Sequence, residues 1–309
     1  MTAWRAGDGT AAAALVRTGH NGRMPTTIRA LRDHAVAELA AAGVPDPEVD
    51  AELLLGHVLG LGRGEVQARI AMDAEVGEDE VAALEALVTR RAAREPLQHL
   101  TGRAPFRNLE LAVGPGVFVP RPETEVVAQF AIDALYAAAG PEPIAVDLGT
   151  GSGAIAIALA TEVPHARVFA IELSPEAHVW AARNVAASGA TNLELVLGDL
   201  ADAFPELDGR AAVVISNPPY VPTDAVPRDP EVRLFDPVVA LYGGADGLDI
   251  VRIVSRAALR LLQPGGTLVI EHGELQGADI RGLLTSDGWR APATHRDLLG
   301  RDRATTAVR

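Results

Sequence analysis

The tetrapeptide Asn217-Pro218-Pro219-Tyr220 follows the apolar run Val213-Val214-Ile215 and has the residue types needed to hold a planar NH₂ group. The Asn217 side-chain oxygen and the Pro218 carbonyl can each accept one of its N–H bonds. Neither proline carries an N–H, so the loop offers acceptors and is stiff. Tyr220 adds a flat face for a planar substrate group. An amide or exocyclic amino nitrogen is a weak nucleophile because its lone pair is delocalised. Fixing that nitrogen in line with an electrophilic methyl helps more than a strong base, since the proton becomes acidic only as the methyl arrives. A proline-rich turn after a buried strand is the plain alternative for these four residues, and the decision rests on what precedes them.

Upstream lies Val146-Asp147-Leu148-Gly149-Thr150-Gly151-Ser152-Gly153, which ends one apolar strand and opens a helix. Glycines there permit a tight turn and close approach of a ligand to the backbone. The same loop also satisfies a dinucleotide fingerprint, with Glu172 lying 23 residues beyond Gly149 where a ribose-binding acid belongs. Two features favour S-adenosylmethionine over NAD. Asp147 precedes the glycines at the strand end, where a carboxylate suits an ammonium better than a pyrophosphate. Asp199, after Gly198, can accept from an adenine amino group, and ionised Glu172 can accept from both ribose hydroxyls.

These motifs need a frame that brings strand ends together. From about Glu125, strands and helices alternate: strands over Ile144 to Leu148, Arg167 to Glu172, Leu193 to Leu197, Ala211 to Ser216 and Thr267 to Glu271, then two final strand candidates. Helices are expected over Ser152 to Thr161, Pro175 to Ala187, Leu248 to Leu262 and Leu275 to Thr285. The pattern predicts an α/β fold, a doubly wound and mostly parallel sheet of Rossmann-like type, with ligands outside the carboxyl ends of the strands. Ahead of it, Thr27 to about Thr101 shows helical spacing throughout (Ile28, Leu31, Ala35, Leu39; Leu53, Leu54, Val58; Val81, Leu84, Val88), predicting a small all-helical domain over 25–101. A short hairpin is expected within Leu109 to Val119, around Gly114-Pro115-Gly116, and Val119 to Glu125 reads as a stiff connector, so 102–124 forms the hairpin and linker and 125–309 the sheet domain. Residues 1–24 are small, polar and aperiodic and read as a disordered tail.

Composition narrows the chemistry. The 309 residues carry a formal charge of −14 and no cysteine, and every one of the 27 Lys-or-Arg residues is arginine. Disulfides, thiolate nucleophiles and cysteine-ligated zinc are excluded, and no metal site is expected. The acidic surface has no basic patch for nucleic acid. No apolar run reaches membrane length, so a cytoplasmic protein is expected.

At this point the chain resembles a known family, the bacterial release factor glutamine methyltransferases (the HemK or PrmC family), over about residues 27 to 309. Arg94-Glu95-Pro96-Leu97-Gln98-His99-Leu100-Thr101-Gly102 followed by Phe106 resembles one family stretch. Val119-Pro120-Arg121-Pro122-Glu123-Thr124-Glu125 resembles the most distinctive one, and Leu241 to Leu248 and Glu271-His272-Gly273 with Gln276 match in order. The resemblance implies a helical N-terminal domain that docks the release factor, and N5-methylation of the glutamine in that factor's Gly-Gly-Gln loop. Carried over by position, Asp147, Gly149, Thr150, Gly151, Ser152, Gly153, Glu172, Asp199, Leu200 and Asn217 bind S-adenosylmethionine, and Asn217, Pro218, Pro219 and Tyr220 hold the glutamine amide. The chain departs from the family in Glu172 for a common Asp, Leu200 for a common aromatic, Phe235-Asp236-Pro237 for a Glu-Pro pair, and His99 for a common Tyr. The nearest rival is an enzyme methylating amino groups of adenine or guanine in nucleic acid, which shares the Asn-Pro-Pro-Tyr type of loop. A non-catalytic cofactor-binding protein is a third reading.

Overall fold

A computed structural model of the chain describes residues 27–309, so the tail expected over 1–24 lies outside the described residues. Five helices come first: α1 (Ile28–Ala41), α2 (Pro47–Leu59), α3 (Arg63–Ala71), α4 (Glu78–Ala92) and α5 (Leu97–Thr101). Thr27 caps α1 by accepting from the Ala30 N–H, and Gly60 in the left-handed region ends α2. Their apolar stripes close on one another: Ile28, Leu31, Leu39, Leu54, Leu55, Leu84 and Val88 are all 2% exposed or less. Each such fully buried side chain contributes about 1.5–3 kcal/mol relative to exposure.

The expected hairpin exists but sits earlier in the chain. Strands β1 (Arg103–Phe106) and β2 (Leu109–Ala112) pair antiparallel, Arg103 with Ala112 and Phe106 with Leu109. The turn falls at Arg107-Asn108, not at Gly114-Pro115-Gly116. Burial decides the register, because Ala104 and Phe106 point inward. Pro105 disguised that strand in the sequence. The Gly114 segment is a loop pressed on Trp180, where a Cβ on Gly114 would lie 2.6 Å from the indole. The connector is likewise shorter than expected: Pro122 occupies the first turn of α6 (Pro122–Ala137), a position whose missing N–H costs the helix nothing.

The remainder builds the sheet. Strands β3 (Ile144–Leu148), β4 (Arg167–Glu172), β5 (Leu193–Leu197), β6 (Ala211–Ser216), β7 (Leu262–Glu271), β8 (Arg290–Arg296) and β9 (Asp302–Val308) lie in the order β5-β4-β3-β6-β7-β9-β8. β3 to β7 are parallel, and β9 runs antiparallel to both β7 and β8. Between them come α7 (Ala154–Glu162), α8 (Pro175–Ser188), α9 (Pro230–Phe235), α10 (Val238–Leu241), α11 (Asp249–Leu261) and α12 (Gly277–Ser286). Alternate strand residues serve opposite faces. Ala145, Val213, Ile215 and Val269 pack with α6 and α7, while Val146, Val214, Leu268 and Ile270 pack with α11 and α12. Chain order reverses direction at β3, and the carboxyl ends of β3 and β6 therefore open on a crevice at the switch point.

Candidate active site

A cavity of about 470 Å³ occupies that crevice. Its wall includes Gly149, Thr150, Gly151, Ser152, Glu172, Asp199, Leu200 and all four residues from Asn217 to Tyr220, so the two motifs face one space.

The glycine loop forms because the β3–α7 turn needs left-handed backbone at Gly149, Gly151 and Gly153, with φ of 78°, 59° and 85°. Beside Gly149 and Gly151 an added Cβ would meet nothing within 4 Å. Their backbone faces open cavity, with room for a ligand to approach it closely. Gly153 instead lies against Ile157 and Ala181, and does not line the cavity. Its role is to let the loop turn onto α7. Amide N–H groups of Gly149 and Thr150 donate to the Ile171 carbonyl at 3.0 Å, locking the loop to β4. Glu172 is nine-tenths buried on the cavity wall. One carboxylate oxygen accepts from the Gly151 N–H and the other from the Ser174 N–H, both at 2.8 Å. Each oxygen keeps a second lone-pair site for a ribose hydroxyl. Asp199 accepts from the Ala201 N–H at 2.9 Å and lines the same wall.

Asp147 is placed differently from expectation. It has no exposed surface, is absent from the cavity wall, and accepts from the Thr150 hydroxyl at 2.6 Å. Strand alternation turns it, like Ala145, toward the α7 side of the sheet. Burial pushes its carboxyl up to about 7. It braces the loop from beneath, and the structure does not bring its carboxylate to the cavity surface.

The acceptor loop is held by partners distant in sequence. Ser216 Oγ donates to the Leu148 carbonyl at 2.6 Å, tying the end of β6 to the end of β3. Asn217 Nδ2 faces Thr124 Oγ1 at 3.4 Å, which leaves Oδ1 as the amide atom available to accept. Behind the pair stands Glu271, 1% exposed, at the end of β7. Burial raises its carboxyl to about 7, against hydrogen bonding from Thr124 and Asn217 and the positive Arg303, which favour the charged form. Gln276 accepts from the Gly273 N–H and donates to the Tyr220 carbonyl, both at 2.9 Å. Burial raises the Tyr220 hydroxyl to about 12, so it stays protonated.

The glycines from Gly243 to Gly247 explain themselves against this loop. A Cβ on Gly243 would lie 2.4 Å from the Pro219 carbonyl oxygen, and one on Gly247 2.2 Å from that of Tyr220. The segment also bonds directly: the Val221 N–H donates to the Leu241 carbonyl, and the Gly243 N–H to that of Val221, each at 2.9 Å. Sequence reasoning assigned no role to Thr124, Ser216 or Glu271. Their only signal was membership of, or adjacency to, a motif.

Residues 30–102 match the family model of the PrmC N-terminal domain, and residues 108–236 match that of the methyltransferase small domain. The release factor glutamine methyltransferase of Streptomyces coelicolor is 51% identical over 275 residues, 88% of this chain and 95% of the relative. That of Bifidobacterium longum is 43% identical, covering 89% of this chain and 97% of the relative. Among solved structures, the catalytic domain of hMettl16 superposes with a TM-score of 0.51 at 14% identity, covering 64% of this chain and 75% of that one, a likeness of fold alone. With a glycine cradle and an Asn-Pro-Pro-Tyr loop on one cavity, and relatives aligned over nearly their whole length, the chain belongs to the release factor glutamine methyltransferases, a family of S-adenosylmethionine-dependent enzymes.

Proposed function

We propose that this protein transfers the methyl group of S-adenosylmethionine to the side-chain amide nitrogen of the glutamine in the Gly-Gly-Gln loop of class I peptide chain release factors. One observation carries the reading: Asn217 sits on the cavity shared with the glycine loop, and its amide nitrogen is engaged by Thr124, leaving the oxygen free to accept. A glutamine NH₂ entering there meets the Asn217 oxygen and the Pro218 carbonyl, while the Tyr220 ring supports its plane.

Gly149, Gly151, Glu172 and Asp199 fit the cofactor: open backbone for its close approach, one carboxylate with lone pairs left for the ribose, and another for an adenine amino group. When bound, the cofactor supplies an electrophilic methyl on a sulfonium. Asn217 and Pro218 orient the nitrogen lone pair along the transfer axis, an entropic and geometric contribution. The apolar cavity walls exclude water as the sulfonium charge disperses. The amide proton becomes acidic as the C–N bond forms, and Tyr220, protonated at neutral pH, is no base.

The helical domain over residues 25–101 is the proposed docking module for the release factor. Against nucleic acid as substrate stand the charge of −14 and the absence of a basic window in the sequence. Among the described residues no helix is long and apolar enough to cross a membrane, and a substrate that works on the ribosome makes the cytoplasm the proposed location. The test is mass spectrometry of a purified release factor incubated with the protein and S-adenosylmethionine. A gain of one methyl on the Gly-Gly-Gln glutamine is expected. An unmodified factor alongside methylated RNA would overturn the proposal.

A further inference from the structure

The helical domain reaches the active site through buried charge. Arg94 forks onto Glu231 of α9, with Nε to Oε1 at 2.8 Å and Nη2 to Oε2 at 2.6 Å. Arg91 of α4 donates to the same Glu231 at 2.8 Å and to Asp50 of α2 at 2.7 Å. Asp50, Arg91 and Glu231 are each 8% exposed or less. Burial works against charge on Glu231, yet the two guanidiniums hold its carboxyl well below the ordinary carboxylate range.

The backbone at Arg94 carries a second, independent observation. Arg94 follows the cap of α4 with φ of 69°, the left-handed position where helices ordinarily place glycine. An arginine there is strained. Its guanidinium bonds to Glu231 and to the Gly43 carbonyl at 3.0 Å, contacts that offset the strain.

Glu231 lies on the segment that walls the acceptor end of the cavity. Asp229, Val232, Pro237, Val239 and Leu241 all line it, and the segment continues into the glycines that abut Pro219 and Tyr220. Its other side-chain fastening is Arg121 Nη2 to Asp236 at 2.6 Å, and its far end is tied by the Val221 N–H to the Leu241 carbonyl. Between these two side-chain fastenings α9 is short, and Leu234 within it and Val238 and Val239 just beyond it are more than half exposed. Little apolar burial holds α9 in place, so the ion pairs fix that part of the wall.

We propose that Arg94, with Arg91, is a positioning residue for methyl transfer, clamping the acceptor wall through Glu231 so that the helical domain shapes the active site as well as docking a partner. This rests on the reading of the cavity's acceptor end given above. Truncating one partner of a buried, forked pair frees the wall, because the remaining carboxylate cannot stay buried at equal cost.

The test uses the full-length protein and Arg94→Gly, a variant that relieves the backbone strain while removing the guanidinium. Hydrogen exchange should show protection over residues 229–241 falling at least ten-fold, with α1 to α3 unchanged. With a short Gly-Gly-Gln peptide, too small to touch the helical domain, kcat should fall about ten-fold while the Kd for S-adenosylhomocysteine stays within two-fold. Adding Glu231→Gln to that background should cost little more, and Arg94→Lys, which keeps charge but loses the fork, should recover part of the rate. Unchanged exchange over 229–241, or a loss confined to the whole release factor with peptide turnover intact, would overturn the clamp. A wild-type enzyme inert toward the peptide and the factor alike would instead refute the proposed substrate, and the exchange result would still decide the clamp.

Discussion

The two halves of the cavity, one proposed for the cofactor and one for the acceptor amide, are built in different ways. The cofactor half is local: Glu172 takes its N–H donors from 21 and 2 residues away, Asp199 from 2, and Asp147 is bonded across 3. The acceptor half is assembled at long range, with Ser216 tied across 68 residues, Tyr220 across 56 and Asn217 across 93. Backbone turns between neighbouring strands suffice to cradle a cofactor. Aiming one amide oxygen requires side chains from α6, β6 and the end of β7, and the backbone of the Gly243 segment, to arrive together. The cofactor half should therefore tolerate distant changes that disable the acceptor half.

The sharpest break of that comparison is Asn217→Ala. Losing one positioned acceptor typically costs on the order of a hundred-fold or more in rate. Transfer should fall by that much, while S-adenosylhomocysteine affinity, read by isothermal titration, changes only a few-fold. Retention of most activity would remove Asn217 from its role.

Next comes Gly247→Ala, which touches neither ligand. A Cβ at φ 76° and 2.2 Å from the Tyr220 carbonyl must displace the acceptor loop. Overpacking of this kind costs about 1–3 kcal/mol. Thermal unfolding should register that loss and turnover should drop, with cofactor binding again spared. Equal losses on both sides would erase the distinction between the halves.

Glu172→Ala probes the other half. Losing a charged acceptor of hydroxyl groups should weaken S-adenosylhomocysteine by about 1–3 kcal/mol. NAD should show no heat of binding to the wild type. NAD binding without product binding would restore the dinucleotide reading of the loop.

The smallest effect is on pH dependence. Burial raises Asp147 and Glu271 to about 7 from 3.8 and 4.5. Between about pH 5 and 7 the folded state keeps protons that the unfolded chain releases, so their contribution to stability is present at low pH and lost as pH rises through the folded values. The melting temperature should decline over that window, and Glu271→Gln, which cannot ionise, should make the decline shallower. A Gln variant with the wild-type slope would show that Glu271 does not titrate there.

Several features were legible because they are local. Strand and helix periods marked β3 to β6 and the core helices within a few residues, β7 begins at Leu262 ahead of the expected Thr267, and the glycine loop and Asn-Pro-Pro-Tyr stood out as motifs that line one cavity. Backbone chemistry and hydrophobic period act over a handful of residues, so the sequence alone carries them. Tertiary structure decided the rest. Pro105 hid β1, whose register depends on burying Ala104 and Phe106, and Pro122 looked like a linker residue until α6 packed on the sheet. Asp147 has the right type and place for an ammonium, yet strand alternation turns it under the loop. Thr124, Gln276 and Arg94 act through partners 93, 56 and 137 residues away, and Glu271 meets Thr124 and Asn217 from the end of β7. No local preference encodes such pairings, because the free energy that fixes them exists only once two distant elements have excluded water between them.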